Sequence, residues 1–348
     1  MSYIVNGHNV FLILLTTLIS SLILVPIVKK VAHHIGAIDY PNERKVHKKP
    51  IPRLGGLAIF LSFLIGYMCF GQVTTQMISI LIGSFIIIVL GICDDIKPVP
   101  ARYKFLVQTI AACIVVFYGH IYIDMISIFG LEIVFGAWGY PLAVLLIVSI
   151  INAVNLIDGL DGLAAGTSSI FFLTISVIAF YLDRLNGLDV ILCVIMLGST
   201  LGFLAYNFNP ASIFMGDTGS MFLGFMISVT ALLGYKGATV TSLIIPILIL
   251  FLPILDTILA IFRRLLKGEN IGAPDKEHLH HQLLKLNKST KKTVLIMYAF
   301  NLLCALISIL YALGDNKLAI LLYSILLIIT LILIFKTDIL FKHNKKDK

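Results

Sequence analysis

Apolar runs of 16–24 residues recur eleven times along the chain, at 9–28, 54–70, 77–92, 103–122, 141–156, 162–182, 188–206, 218–235, 239–262, 293–313 and 317–335. A helix crosses the hydrocarbon core of a bilayer in about 20 predominantly apolar residues. Eleven such runs occupy well over half of the 348 positions and leave little room for a soluble domain. Only 13% of residues are charged, against about 25% in a soluble domain. The sequence therefore predicts an all-α, polytopic integral membrane protein of about eleven transmembrane helices, forming a single transmembrane domain over 1–348. Pro246 and Pro253 lie inside the ninth run. Each removes a backbone donor, so that helix is expected to be kinked or broken.

The charges give the orientation. The odd-numbered connections and the carboxyl tail hold 23 of the 26 Lys and Arg residues. Because basic loops stay in the cytoplasm, the amino terminus is expected outside and the carboxyl terminus inside. The net charge of +8 then describes a basic cytoplasmic face and implies no nucleic-acid partner. The first run has no basic residue before it and no small-residue cleavage site after it, and Lys29-Lys30 follow. It is read as a retained span rather than a signal peptide. Five cysteines stand singly in or beside apolar runs, without the paired spacing of a zinc site or a disulfide framework.

The informative residues are polar ones that an apolar bundle has no packing reason to keep. They gather on five connections of one membrane face: 29–56, 93–104, 152–165, 207–220 and 263–292. The first connection carries Lys45 and His47 among alternating prolines and a Gly55-Gly56 pair. A positive-inside loop explains its charge, but the turn-rich path points to a fixed cradle for an anion. Asp94 and Asp95 end the third run. Adjacent carboxylates repel, so a cation or a proton must offset them. Lys104 is placed either to meet phosphate oxygens or to snorkel. Asn152, Asn155, Asp158 and Asp161 follow at spacings of three and would share one helical face, although Gly159 and Gly162 argue for a local break.

Asp217 stands between glycines ahead of the eighth run. It suits either a helix cap or a Mg²⁺ site, since Mg²⁺ prefers one or two carboxylates plus substrate phosphates. His278, His280 and His281 lie among Arg and Lys, where contacts to diphosphate fit better than zinc. Asp256, inside the ninth run, serves either the site or a nearby basic residue. Clustered carboxylates with Lys and Arg are what a Mg²⁺-diphosphate requires. The pattern reads as phosphoryl transfer between a cytosolic donor and a lipid acceptor held in the bilayer.

The strings PNERKVHKKPIPRLGG, GICDD, NAVNLIDGLDGLAAG, NFNPASIFMGDTGSMFLG and PDKEHLHH resemble, in order, the motifs of the polyprenyl-phosphate N-acetylhexosamine-1-phosphate transferase family. The resemblance implies transfer of N-acetylglucosamine 1-phosphate from UDP-N-acetylglucosamine to undecaprenyl phosphate with release of UMP. It points to the first membrane step of a cell-wall polymer, wall teichoic acid. Mg²⁺ is the implied cofactor, with Mn²⁺ as a substitute; the lipid bilayer is the implied surroundings, and a homodimer is left open. The His-x-His-His form resembles the N-acetylglucosamine branch. The alternatives are the phospho-N-acetylmuramoyl-pentapeptide transferase and, from a different class, a secondary transporter.

By motif position, the resemblance makes Asp94, Asp95 and Asp217 the catalytic acids, with Asp94 a base or positioning group. Asp217 and Asn155 would hold the metal. Lys104, His280 and His281 would lie near the diphosphate, and Asn207 and Phe214 near the nucleoside, where Phe214 could stack on uracil. Lys45, His47, Asn152, Asp158, Asp161 and His278 complete the expected substrate-binding set.

Overall fold

Among the described residues, ten of the eleven apolar runs are occupied by continuous helices. These are α1 (Val10–Ile35), α2 (Gly55–Phe70), α3 (Thr75–Ile96), α4 (Ala101–Cys113), α5 (Gly139–Ile157), α6 (Leu163–Tyr181), α7 (Leu188–Asn207), α8 (Gly216–Lys236), α10 (Thr290–Ala312) and α11 (Asn316–Lys336), with the short α9 (Leu279–Asn287) preceding α10. The computed structural model describes residues 4–41, 49–128, 131–182, 185, 187–236, 279–314 and 316–336, with isolated positions between 251 and 264; at 126–132, 235–236, 279–281, 316 and 333–336 it describes the backbone alone. The ninth run, with its expected kink and Asp256, lies outside the described residues apart from those isolated positions.

Local signals set several helix ends. Asn9 caps α1 by accepting from the Phe11 N–H, Thr74 caps α3 by accepting from Met77, and Ser289 caps α10 by accepting from Lys292. The largest departure from the apolar runs is at the end of α1, which continues past Lys29 and Lys30. No residue there breaks a helix, and it stops at Gly36, whose φ of 77° supplies the left-handed cap. α4 runs on as a wider π-helical turn over Ile114–Tyr118.

Among the described residues, eight helices are long and apolar enough to cross a bilayer. α8 is the axis of the bundle: 94% of its apolar window is buried, against 28% for α1 at the rim. α2, α3, α5 and α7 pack around α8. The rings of Phe60 and Phe63 on α2 meet Phe222 of α8 edge-on at 5.4 and 5.7 Å. On α1, Phe11, Leu15, Ile19, Ile23 and Ile27 repeat every four residues and are all exposed. A continuous apolar stripe of that length is tenable only against lipid. The chain is a multi-pass membrane protein. Strands among the described residues are confined to three short antiparallel pairs, β1 (Ile4–Val5) with β2 (His8–Asn9), β3 (Ile38–Asp39) with β4 (Ile51–Pro52), and β5 (Met125–Ile128) with β6 (Leu131–Val134). The pair that matters for the site joins β3 to β4, with Ile38 opposite Pro52 and Asp39 opposite Ile51.

Candidate active site

Backbone contacts draw three helix ends together. Phe214 N–H donates to the Pro52 carbonyl at 2.8 Å, while Gly55 and Gly56 donate to the carbonyls of Phe214 and Met215 at 3.0 and 2.9 Å. This ladder sets the start of α2 beside the start of α8. It requires a glycine at 56, because a Cβ there would stand 2.0 Å from the Gly219 nitrogen. Gly91 does the same for α3, where a Cβ would lie 2.3 Å from the Cα of Thr218.

The first N–H groups of a helix have no partner within it and favour negative charge. At α8 the partner comes from another helix. Asp95 accepts from Asp217 N–H at 2.9 Å, Thr218 N–H at 3.1 Å and the Thr218 hydroxyl at 2.6 Å. It also accepts from Arg53, whose Nε and Nη2 both lie 3.0 Å from Asp95 Oδ1. Asp95 is thus saturated by five donors.

Its neighbour Asp94 faces elsewhere, taking Val99 N–H at 2.7 Å and Lys104 Nζ at 2.7 Å. Lys104 bridges onward to Asp217 Oδ2, also at 2.7 Å. Asp217 is therefore held between two cations, with Arg53 Nη2 3.6 Å from its other oxygen. Burial works against the Arg53 charge, but Asp95, Asp217, Asp39 and Asp94 outweigh it and hold the guanidinium more firmly protonated than usual.

Beside this network opens a cavity of about 880 Å³, within the size range of small-molecule sites. Of the expected site residues, Asn155, Asp158, Asp161, Asn207, Phe214 and Asp217 line it. Asp94, Asp95, Lys104 and Asn152 are not part of its wall. Asn152 turns to α4, where its Nδ2 donates to Gln108 Oε1 at 2.7 Å. The four-residue polar series does not keep one helical face, because α5 ends at Ile157 and Asp158 has already left helical geometry with ψ at 45°.

Asp161 accepts from Asn209 Nδ2 at 2.8 Å and Ala211 N–H at 3.1 Å. Asn207 accepts from Gly162 N–H and donates to the Ile213 carbonyl, both at 3.0 Å. These two residues lock the central loop to the one ahead of α8. Asp158 takes no hydrogen bond from the described residues. Burial first, and then Asp217 and Asp95 nearby, push its carboxyl well above the usual range, against a partial pull from Arg53.

Lys45, His47 and His278 lie outside the described residues, as do the side chains of His280 and His281, whose backbone opens α9. Sequence reasoning did not single out Arg53, Asp39 or Lys49 as site residues, yet all three line the cavity. The signal for Arg53 was its place next to the Gly55-Gly56 pair, but nothing in one dimension separates it from six other basic residues in that connection. Tyr298 carried no signal at all. It donates to the Gly162 carbonyl from α10.

Among the described residues, no three His, Cys, Asp or Glu side chains converge into a closed metal site. Asp217 and Asn155 nevertheless fit a hard cation that completes its shell with substrate. Asn155 Nδ2 donates to Ser220 Oγ at 2.8 Å, and Ser220 follows Asp217 by three residues on the same face of α8. The Asn155 Oδ1 takes no hydrogen bond from the described residues and can be offered to a cation. One carboxylate and one amide oxygen beside a cavity match the sparse protein shell typical of Mg²⁺-phosphate sites.

The sequence pattern of glycosyl transferase family 4 matches residues 77–235. Over 288 residues, 82% of this chain and 80% of the relative, the chain is 46% identical to a probable undecaprenyl-phosphate N-acetylglucosaminyl 1-phosphate transferase of Bacillus subtilis (strain 168). A decaprenyl-phosphate N-acetylglucosaminephosphotransferase of Mycobacterium tuberculosis (strain ATCC 25618 / H37Rv) is 34% identical over 302 residues, 78% of this chain and 74% of the relative. An undecaprenyl-phosphate alpha-N-acetylglucosaminyl 1-phosphate transferase of Escherichia coli (strain K12) is 27% identical over 286 residues, 80% of this chain and 77% of the relative.

Proposed function

Because the chain belongs to glycosyl transferase family 4, we propose that it moves N-acetylglucosamine 1-phosphate from UDP-N-acetylglucosamine to undecaprenyl phosphate, giving undecaprenyl-diphospho-N-acetylglucosamine and UMP. The observation that carries this reading is the placement of Asp217. It lines a cavity of about 880 Å³ at the head of the most buried helix, with Arg53 and Lys104 on either side. The resemblance of the motifs supports a step at the start of a cell-wall polymer, wall teichoic acid. The basic charge of these connections supports a cavity that faces the cytoplasm, where a nucleotide sugar is available.

In the reaction, an oxygen of the lipid phosphate bonds to the sugar-linked phosphorus of the donor. The bond from that phosphorus to the bridging oxygen breaks, and UMP leaves with the electron pair. A lipid monophosphate is largely ionised near neutral pH, with a second pKa of about 6, so little basicity is asked of the protein. Asp217 and Asn155 would hold Mg²⁺, which supplies charge neutralisation on the diphosphate. Lys104 neutralises Asp217 in the absence of substrate, and Asp94 positions Lys104. Phe214, on the cavity wall, would stack on uracil.

The test is transfer of label from UDP-N-acetylglucosamine into organic-extractable lipid by purified protein in detergent. Transfer should require undecaprenyl phosphate and Mg²⁺, and Asp217→Asn should lower turnover about a hundredfold or more. Near-native turnover in that variant would refute the role of Asp217. A phosphorylated enzyme trapped without lipid acceptor would replace the single displacement with a two-step route.

A further inference from the structure

Arg53 stands between β4 and α2 and is held by one edge. Its Nε and Nη2 both reach Asp95 Oδ1 at 3.0 Å, and the Asp95 side chain is fully buried. The opposite nitrogen, Nη1, lies 3.9 Å from Asp39 Oδ1. Among the described residues it has no acceptor within hydrogen-bonding distance. The Arg53 side chain is 28% exposed and lines the cavity.

A guanidinium carries five N–H groups in a rigid fork. When a buried carboxylate fixes one edge, the other is pre-aimed and loses little entropy on meeting a ligand. The charge balance points the same way. The described wall of the cavity carries Asp39, Asp158, Asp161 and Asp217 against Lys49 and Arg53. An anionic substrate entering there needs a fixed cation on that wall, and Arg53, 3.6 Å from Asp217 and anchored by Asp95, is one.

We propose that Arg53 is a substrate-binding residue whose free Nη1 edge takes a phosphate oxygen in the cavity, while Asp95 serves as its anchor. The inference rests on the reading of this cavity as a phosphoryl-transfer site. The oxygen belongs either to the nucleotide diphosphate or to the lipid phosphate, two sources with the same chemistry. A lysine at this position keeps the charge but cannot grip Asp95 with one edge and present another.

The test is steady-state kinetics of Arg53→Lys, varying UDP-N-acetylglucosamine and undecaprenyl phosphate separately. Loss of a charge-assisted hydrogen bond should raise one KM about ten- to a hundredfold, and the substrate whose KM moves is the source of the oxygen. Both KM values and kcat within twofold of wild type would overturn the assignment. A second measurement needs no variant: phenylglyoxal labelling of the wild type, followed at Arg53 by peptide mass spectrometry. Labelling should slow with UDP-N-acetylglucosamine, undecaprenyl phosphate or inorganic diphosphate present; equal rates with and without all three would overturn the assignment. A wild type that binds inorganic diphosphate at Arg53 but releases no UMP would sink the donor reading and leave the Arg53 assignment standing.

Discussion

Lys104→Gln removes one positive charge while keeping most of the side-chain length, and its effects can be worked from the geometry. The Lys104 Nζ lies 2.7 Å from both Asp94 Oδ2 and Asp217 Oδ2. At an effective dielectric of about 20, each contact represents roughly 6 kcal/mol of attraction. Most of that is offset by desolvating three partly buried ions. Cutting the bridge should therefore cost a net of about 2–3 kcal/mol.

The site should respond in the opposite sense to the fold. Asp217 Oδ2 loses its internal counter-ion, so a divalent cation no longer displaces Lys104 in order to bind. An advantage of about 2–3 kcal/mol corresponds to roughly thirty- to a hundredfold in affinity. Mn²⁺ titration of detergent-purified protein, followed by electron paramagnetic resonance without nucleotide, reads this directly. The expected result is weak Mn²⁺ binding by wild type, binding tighter by about that factor in Lys104→Gln, and reduced turnover in the variant. Mn²⁺ affinity that is unchanged or weaker would refute the idea that Lys104 and the metal share Asp217.

Tyr298→Phe keeps the ring but removes the side-chain donor to the Gly162 carbonyl, which keeps the Gly166 N–H. It should lower stability by about 0.5–1.5 kcal/mol, read as Tm in detergent, and an unchanged Tm would show that the bond contributes nothing. Gly56→Ala forces a Cβ to 2.0 Å from the Gly219 backbone nitrogen, and separating α2 from α8 should cost about 3 kcal/mol or more, with loss of activity; a fully active, equally stable variant contradicts the close approach. Asp158 binds its proton more tightly in the folded protein than in the unfolded chain. Its contribution to stability is therefore full below the unfolded pKa of about 3.9 and is lost as pH rises through the raised folded value. In ligand-free protein, Asp158→Asn should raise Tm at neutral pH and flatten its fall with pH, whereas parallel Tm–pH curves for variant and wild type would contradict this.

The ten described spans were readable because each coincides with an apolar run, and α1 overran its run because nothing between Lys29 and Gly36 stops a helix. The convergence of Asp94, Asp95 and Asp217 was also readable, since basic loops and acidic clusters fell on the same connections. Their division of labour was not. Consecutive residues on a helix point about 100° apart, so Asp94 meets Lys104 while Asp95 meets Arg53 and the head of α8. Which cation each acid faces depends on where α4 and β4 pack, and no local pattern encodes that. The i, i+3 spacing of Asn152 and Asn155 was equally ambiguous. The first bonds Gln108 on α4 and the second Ser220 on α8, because α5 lies between those two helices.

UMP release by the purified protein tests the central claim most directly, with undecaprenyl phosphate as acceptor and UDP-N-acetylglucosamine compared with UDP-N-acetylmuramoyl-pentapeptide as donor. The account predicts release that depends on the lipid and occurs with UDP-N-acetylglucosamine alone. Release only from the muramoyl-pentapeptide donor would contradict the sugar assignment, and no release from either would contradict the transferase reading itself.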